Sequence, residues 1–262
     1  MDPALWVSKT GLDAQQTNIR NISNNISNAS TVGFKKGRVV FEDLLYQKIN
    51  QPGATSAQDD TMPSGLMLGS GTKVVATQKN FQQGGVQVTS NTFDMMIDGD
   101  GFFQIRMPDG STAYTRNGQF QRDDEGNLVT AGAGYPVEPN ISVPADATSV
   151  TVSADGQVSA RLQGQAEEQQ VGQITLVSFV NPQGLEPIGE NLYLQTGASG
   201  EAQEGTPGLD GLGKIKQGAL ESSNVNVTEE LINLIEAQRV FEMNSKVISS
   251  VDEMLGYVSQ RL

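Results

Sequence analysis

The sequence contains no cysteine and no histidine. That removes thiolate nucleophiles, disulfides, the usual zinc sites and the one side chain that changes charge near neutral pH without help. A chain without cysteine can also work in an oxidising compartment without forming wrong disulfides. Basic residues are scarce: 17 Lys and Arg stand against 30 Asp and Glu, a formal net charge of −13. Nucleic acid and anionic membrane surfaces repel such a chain, so neither is expected as a partner. Long apolar runs are missing too. The most apolar stretch is Ile174 to Val180, far short of the ~20 residues of a membrane-spanning helix, so no membrane insertion is expected. The start, Met1-Asp2-Pro3-Ala4-Leu5-Trp6, is acidic where a secretory signal is basic. No apolar h-region follows it, and no cleaved signal peptide is expected.

What is present is enough for a core, since hydrophobic residues make up 37% of the chain beside 29 glycines. The two ends read as helices. Asp2 is a candidate N-cap with Pro3 at the first helical position. Leu5, Leu12, Ile19 and Ile26 then recur every seven residues with Ile22 between them. This helix is expected to end near Thr31-Val32-Gly33, with Gly33 in the left-handed conformation that closes a helix. At the other end Val227, Leu234, Phe241, Ile248, Leu255 and Leu262 keep the same spacing. Ala237, Asn244, Val251 and Val258 lie three residues after four of them. Asn226 is the expected N-cap, with Glu229 at the reciprocal position of a capping box. Stripes this narrow do not wall a globular core; each calls for one or two partner helices, and the other terminus is the nearest candidate.

Between the ends the pattern is β. Phe102 to Arg106, the turn Pro108-Asp109-Gly110 and Ala113 to Arg116 read as a hairpin. Leu128 to Thr130 after an Asp-Glu-Gly-Asn turn, and Val150 to Ala160 around Asp155-Gly156, read as two more. Further strands are expected within Val171 to Val180 and Asn191 to Gln195. The fold class is therefore α+β, mainly β: N- and C-terminal helices forming a coiled-coil-like domain, a central all-β domain and an extended linker region. The expected division is 1–33 with 225–262 as the helical domain and 80–211 as the β domain. Residues 34–79 with 212–224 connect them and carry a long insertion, 46–71. By composition alone that Gly-, Pro- and Ser-rich insertion reads as a disordered linker.

Candidate chemistry is thin. Asp98-Gly99-Asp100-Gly101 starts like a calcium loop, but Phe102 occupies the next ligand position and no Glu closes the loop. Asp123-Asp124-Glu125 reads as a solvated turn. Carboxylate pairs such as Glu186 with Glu190, or Asp94 with Asp98, are what an acidic chain yields by chance, and no histidine stands ready to activate a serine. No enzyme and no cofactor are expected. Five asparagines, Asn18, Asn21, Asn24, Asn25 and Asn28, stand out, because asparagine is a poor helix former unless its amide finds a partner.

Residues 22 to 47 carry Asn24, Asn25, Asn28, Thr31, Gly33, Phe34 and Lys35. They resemble the Asn-Asn-x-x-Asn-x-x-Thr-x-Gly-Phe-Lys motif of bacterial flagellar rod and hook proteins. Residues 222 to 248, with Glu229-Glu230 and Gln238-Arg239, look like the matching C-terminal motif, and residues 97 to 139 are similar to the β-domain of that family. Within the insertion, Gln51, Pro52 and Gly53, then Pro63, Ser64, Gly65 and Leu66, resemble the stretch that marks the straight-rod branch.

The resemblance implies a structural subunit of the basal body, forming a helical homopolymer that transmits torque from motor to hook. It implies that Leu5, Leu12, Ile19, Ile22, Ile26, Leu234, Phe241, Ile248, Val251, Leu255, Val258 and Leu262 belong to paired self-assembly helices of an inner tube. The insertion would be ordered between subunits and stiffen the rod. Implied partners are proximal rod proteins, a hook or hook-side axial protein, the surrounding P and L ring proteins and the flagellar type III export apparatus. The implied location is a rod spanning the periplasm. Two other readings fit the residues: a hook or proximal rod subunit, and, from another class, an extracellular adhesive module whose helical ends oligomerise it.

Overall fold

The computed structural model describes residues 3–50, 65–164 and 167–260. The chain divides into two compact units: residues 1–27, 37–79 and 226–262 in one, and 28–36 and 80–225 in the other.

The first unit holds both long helices, α1 (Pro3–Ser27) and α2 (Val227–Gln260), with the strands β1 (Gly37–Asp43), β2 (Gln47–Asn50), β3 (Leu66–Leu68) and β4 (Thr72–Lys79). β1 and β4 form an antiparallel ribbon, with a register shift between Val40 and Phe41. β2 pairs antiparallel with β3. The flanks of the insertion are thus not the disordered linker that composition suggested: Gln47, Lys48 and Asn50 pair with Leu68, Met67 and Leu66 across a ladder, with a register shift at Ile49. Gln51, Pro52, Gly53, Pro63 and Ser64 lie outside the described residues, as do Asp2 and Leu262.

α1 also stops earlier than its pattern suggested, at Ser27. Asn28 ends it: its carbonyl accepts from Thr31 N and its amide oxygen from Thr31 Oγ1, a local turn that competes with the helix. At α2 the Asn226 side chain accepts from Thr228 N and Glu229 N, the expected N-cap.

The second unit is all β. It runs β5 (Val86–Val88), β6 (Met95–Asp98), β7 (Phe103–Arg106), β8 (Thr112–Thr115), β9 (Phe120–Arg122) and β10 (Leu128–Thr130). β11 (Val137–Glu138), β12 (Ala147–Val152), β13 (Gln157–Leu162), β14 (Glu168–Gln173) and β15 (Leu176–Ser178) follow. β16 (Glu186–Gly189), β17 (Leu192–Leu194), β18 (Gln203–Gly205), β19 (Lys214–Gln217) and β20 (Ala219–Glu221) complete it. The largest sheet has the order β11-β7-β8-β17-β16; β12, β13 and β14 form a meander, and the rest pair in twos. The hairpins expected around Asp109-Gly110 and Asp155-Gly156 are β7–β8 and β12–β13.

Alternation along β7, β8 and β17 buries both faces of the large sheet. Phe103, Ile105, Ala113 and Leu192 join a core with Met95, Ile97, Phe120 and Ile174. Tyr114 and Tyr193 join a second, aromatic cluster with Phe102 and Phe179, where Tyr114 meets Phe179 edge-on with centroids 4.8 Å apart. A sheet covered on both faces cannot slip register without exposing one apolar set and burying polar groups in its place.

Gly118 shows how tightly this unit is closed: a Cβ there would sit 1.5 Å from the Met95 carbonyl oxygen, a backbone atom that cannot step aside. Gly118→Ala is expected to lower stability by about 2 kcal/mol or more. Gly110→Ala, at a left-handed turn with open space around it, should cost about 1 kcal/mol. Urea unfolding of both variants checks the contrast; equal losses would mean that close approach is not the constraint.

Candidate functional site

Two side-chain arrangements stand apart from ordinary core packing. The first is the helix pair. Asn25 Nδ2 of α1 donates to Glu230 Oε2 of α2 at 3.1 Å, and a Cβ at Gly11 would come within 2.9 Å of the Asn244 amide. These two contacts fix one antiparallel register, in which Asn18 lies level with Ala237 and Ala4 with Val251. The buried line of α2 is Glu230, Ala237 and Val251, with half-buried Asn244 among them. Small and short polar residues occupy the line because the helix backbones approach closely there.

The other side of α1 meets the β1–β4 ribbon. Asn21 Nδ2 and Asn25 Nδ2 both donate to the Gly37 carbonyl, and Asn25 Oδ1 accepts from Gly37 N. Thr72 N donates to Thr10 Oγ1. Two of the asparagines that weaken α1 as an isolated helix therefore tie it down: Asn21 to the ribbon, and Asn25 to both the ribbon and α2.

Of the apolar residues spaced by seven, Ile22 and Val251 are buried. Leu5, Leu12, Ile19, Ile26, Leu234 and Ile248 are half-buried at the flanks of the contact, and Phe241 and Leu255 are exposed. Val258 lies in α2 near its end. Further apolar side chains point away from α1: Leu231, Ile232 and Ile235 near the start of α2, and Met243, Val247, Met254 and Tyr257 in its second half, all exposed. At 3.6 residues per turn the two groups together cover one broad arc of the helix, about 160° wide, from Leu231 at one edge to Val247 at the other, with Ile232, Met243 and Tyr257 near one another in angle. Sequence reading missed them because they keep no single heptad position. A count of apolar residues outside the main stripe would have found them.

The second arrangement lies within the β unit and centres on Lys35. Its ammonium donates to Glu221 Oε1 at 2.6 Å and to the carbonyls of Gln82 and Phe81 at 2.8 and 3.4 Å. Gly84 N donates to the same carboxylate oxygen. Arg116 Nη1 stands 3.6 Å from Glu221 Oε2 and donates to the Gly99 carbonyl, with its guanidinium over the Phe102 ring. All three charged side chains are almost fully buried. Burial pulls the Lys35 ammonium below the ordinary lysine range, and the Glu221 carboxylate pulls the other way. Burial likewise lowers Arg116, and it pushes the nearby Tyr193 phenol up to about 12.

Around this cluster Gly33 N donates to the Glu221 carbonyl, Lys36 N to Asn224 Oδ1 and Asn191 Nδ2 to the Val32 carbonyl. Gly33 has φ +70, and a Cβ there would meet the Arg116–Asn117 backbone at 2.8 to 2.9 Å. Its left-handed conformation serves this approach and does not cap α1. Phe34 is buried beside it. Of the motif residues, Asn24 and Asn25 thus lie on α1, while Asn28, Thr31, Gly33, Phe34 and Lys35 belong to the β unit. Gly65 precedes β3 and Leu66 opens it, exposed. No helix among the described residues is long and apolar enough to cross a membrane.

A long helix pair tied by buried amides, left apolar on its outer sides and attached by sequence to a separate β unit, defines a structural subunit. Three family models match it: "Flagella basal body rod protein" over residues 5–35, "Flagellar hook protein FlgE/F/G D1 domain" over 96–160 and "Flagellar basal body rod FlgEFG protein C-terminal" over 216–261. These mark an axial protein of the flagellar rod and hook class. The flagellar basal-body rod protein FlgG of Buchnera aphidicola subsp. Schizaphis graminum is 52% identical over 260 residues, covering 99% of this chain and 100% of the relative. FlgG of Borreliella burgdorferi is 46% identical over 255 residues, 97% of this chain and 96% of the relative. The flagellar basal-body rod protein FlgF of Caulobacter vibrioides is 35% identical over 269 residues, 100% of this chain and 98% of the relative. The chain belongs to the FlgG family of flagellar basal-body rod proteins, and it is a structural rod subunit.

The charge cluster yields a test. Lys35→Met leaves the Glu221 carboxylate buried without its ammonium and is expected to cost about 3–5 kcal/mol in chemical unfolding. A loss below about 1 kcal/mol would mean that the cluster does not hold residues 33–36 in place.

Proposed function

We propose that the subunit polymerises with copies of itself into the straight, rigid distal part of the rod, which passes torque from motor to hook. The observation that carries this reading is α2, a 34-residue helix with exposed apolar side chains over a broad arc beside the line that faces α1. A surface of that kind is costly to leave in water and stable once neighbouring copies cover it. An exposed apolar arc this broad, running from Leu231 near the start of α2 to Tyr257 near its end, gives one α2 room for more than one neighbour. Contacts of this heterologous kind build an open helical polymer instead of a closed ring. The paired self-assembly residues, from Leu5 to Ile26 on α1 and from Leu234 to Val258 on α2, form the inner part of that polymer. Family membership supports proximal rod proteins, a hook-side axial protein, the P and L rings and the type III export apparatus as partners, with the rod crossing the periplasm.

Within this reading the segment from Gln51 to Leu66 stiffens the polymer by wedging against neighbouring subunits. It rises from the β2–β3 ladder, whose ends, Asn50 and Leu66, are paired. A two-residue turn can therefore close the ladder in its absence.

Ile232→Asp combined with Ile235→Asp changes exposed positions and should shift monomer stability by no more than about 0.5 kcal/mol each. It should raise the concentration needed for polymerisation at least tenfold, about 1.4 kcal/mol per subunit contact. Sedimentation and electron microscopy give the readout, and unchanged assembly refutes the role of this surface. Replacing residues 51–65 by Asn-Gly should leave the fold intact while polymers become curved or flexible in micrographs. Polymers of undiminished straightness would remove the stiffening role.

A further inference from the structure

The antiparallel register places Asp252 level with Pro3, so α2 runs on past the described start of α1 from Asp252 to residue 260, by about 12 Å at 1.5 Å per residue. This overhang exposes Met254 at 59% and Tyr257 at 70%, together with Leu255 and the acidic pair Asp252-Glu253. Within the same unit, α1 and the ribbon leave a groove on either side of Trp6. One part is bounded by Pro3, Val7 and Leu68. The other, with room of about 380 Å³, is bounded by Lys9, Ala14, Leu44, Lys73 and Val74, with Asp13 at its edge. Trp6 itself is 45% exposed, with the Lys9 ammonium 5.7 Å from its ring centre. Lys73 shares its charge with Glu42, 3.3 Å away at the surface.

We propose that this groove receives the overhanging end of α2, residues 252–257, from a second copy of the chain. The inference rests on the polymerising role given above and names the surfaces that meet. The argument is complementarity. An apolar floor with two lysines and one aspartate faces an apolar helix end with two carboxylates. Met254 and Tyr257, three residues apart, share one side of the helix and can enter the groove together while Glu253 approaches Lys9. The donor surface and the acceptor surface differ, so each copy gives one and takes one, and the contact propagates without closing.

The chain offers its own probe, because Trp6 is its only tryptophan. Full-length protein is polymerised, with filaments verified by electron microscopy, and its tryptophan emission is compared with that of dilute monomer. Emission should move to shorter wavelength on assembly and stay put in Tyr257→Ser. Since cysteine is absent, Ser70→Cys with Glu253→Cys gives a clean cross-link, which should yield a ladder of covalent multimers from polymer and none from dilute monomer.

Filaments that form with Trp6 emission unchanged and no ladder overturn this inference while leaving the polymerising role intact. A shift already present in dilute monomer means that the chain's own end fills the groove, and also overturns it. Absence of filaments under all conditions overturns the polymerising role and this inference with it.

Discussion

The close antiparallel approach of α1 and α2 governs the first unit. Two helices can come this near only where the facing residues are small or can hydrogen-bond across the gap. Gly11 against Asn244, and Asn25 with Glu230, meet that requirement. Once the contact line is given to such residues, the leucines and isoleucines have no place at its centre. They move to the flanks, where they are half covered, or to the rest of the surface of α2, where they stay exposed among the described residues. A core of large apolar residues between the helices would have held the pair together as well, and would have left a polar exterior.

In the β unit the comparable constraint is the buried Lys35–Glu221–Arg116 cluster. Three charges removed from water do not make a fold stable by themselves; apolar replacements of similar volume often serve as well. What charges supply is geometry. Lys35 reaches the backbone at Phe81 and Gln82 as well as Glu221, and Glu221 also takes the Gly84 amide. The segment after α1, the segment before β5 and the end of β20 are thereby held to one arrangement. The Gly33 approach to Arg116–Asn117 adds a steric requirement at the same point.

Much of this was legible in the sequence, and the limits have physical causes. The β-hairpins at Asp109-Gly110 and Asp155-Gly156 could be read because their turn chemistry is local. The Asn226 cap could be read for the same reason. The heptad spacing of leucines and isoleucines located both helices, yet it did not identify the contact line, because periodicity marks apolar residues and the line includes Gly11, Asn25, Glu230, Ala237 and Asn244. The role of Gly33 was misread as a helix stop: a left-handed glycine near a helix end has the same sequence signature as one that admits a distant backbone. The burial of Lys35 could not be read, since its partner Glu221 lies 186 residues away and no local pattern links the two. Composition marked the flanks of the insertion as loop because their few β-forming residues are diluted by glycine and proline.

The bond between Asn25 and Glu230 spans 205 residues, which sets an order on how the subunit matures. Joining the two ends closes a loop that contains the whole β unit, and that entropy must be met before the helix contacts return anything. A chain emerging N-terminus first holds α1 without its mate until α2 follows, about 200 residues later. Pairing of the helices, and with it the register that decides which apolar side chains of α2 stay uncovered, is therefore expected late in folding, after the β unit that lies inside the loop has formed.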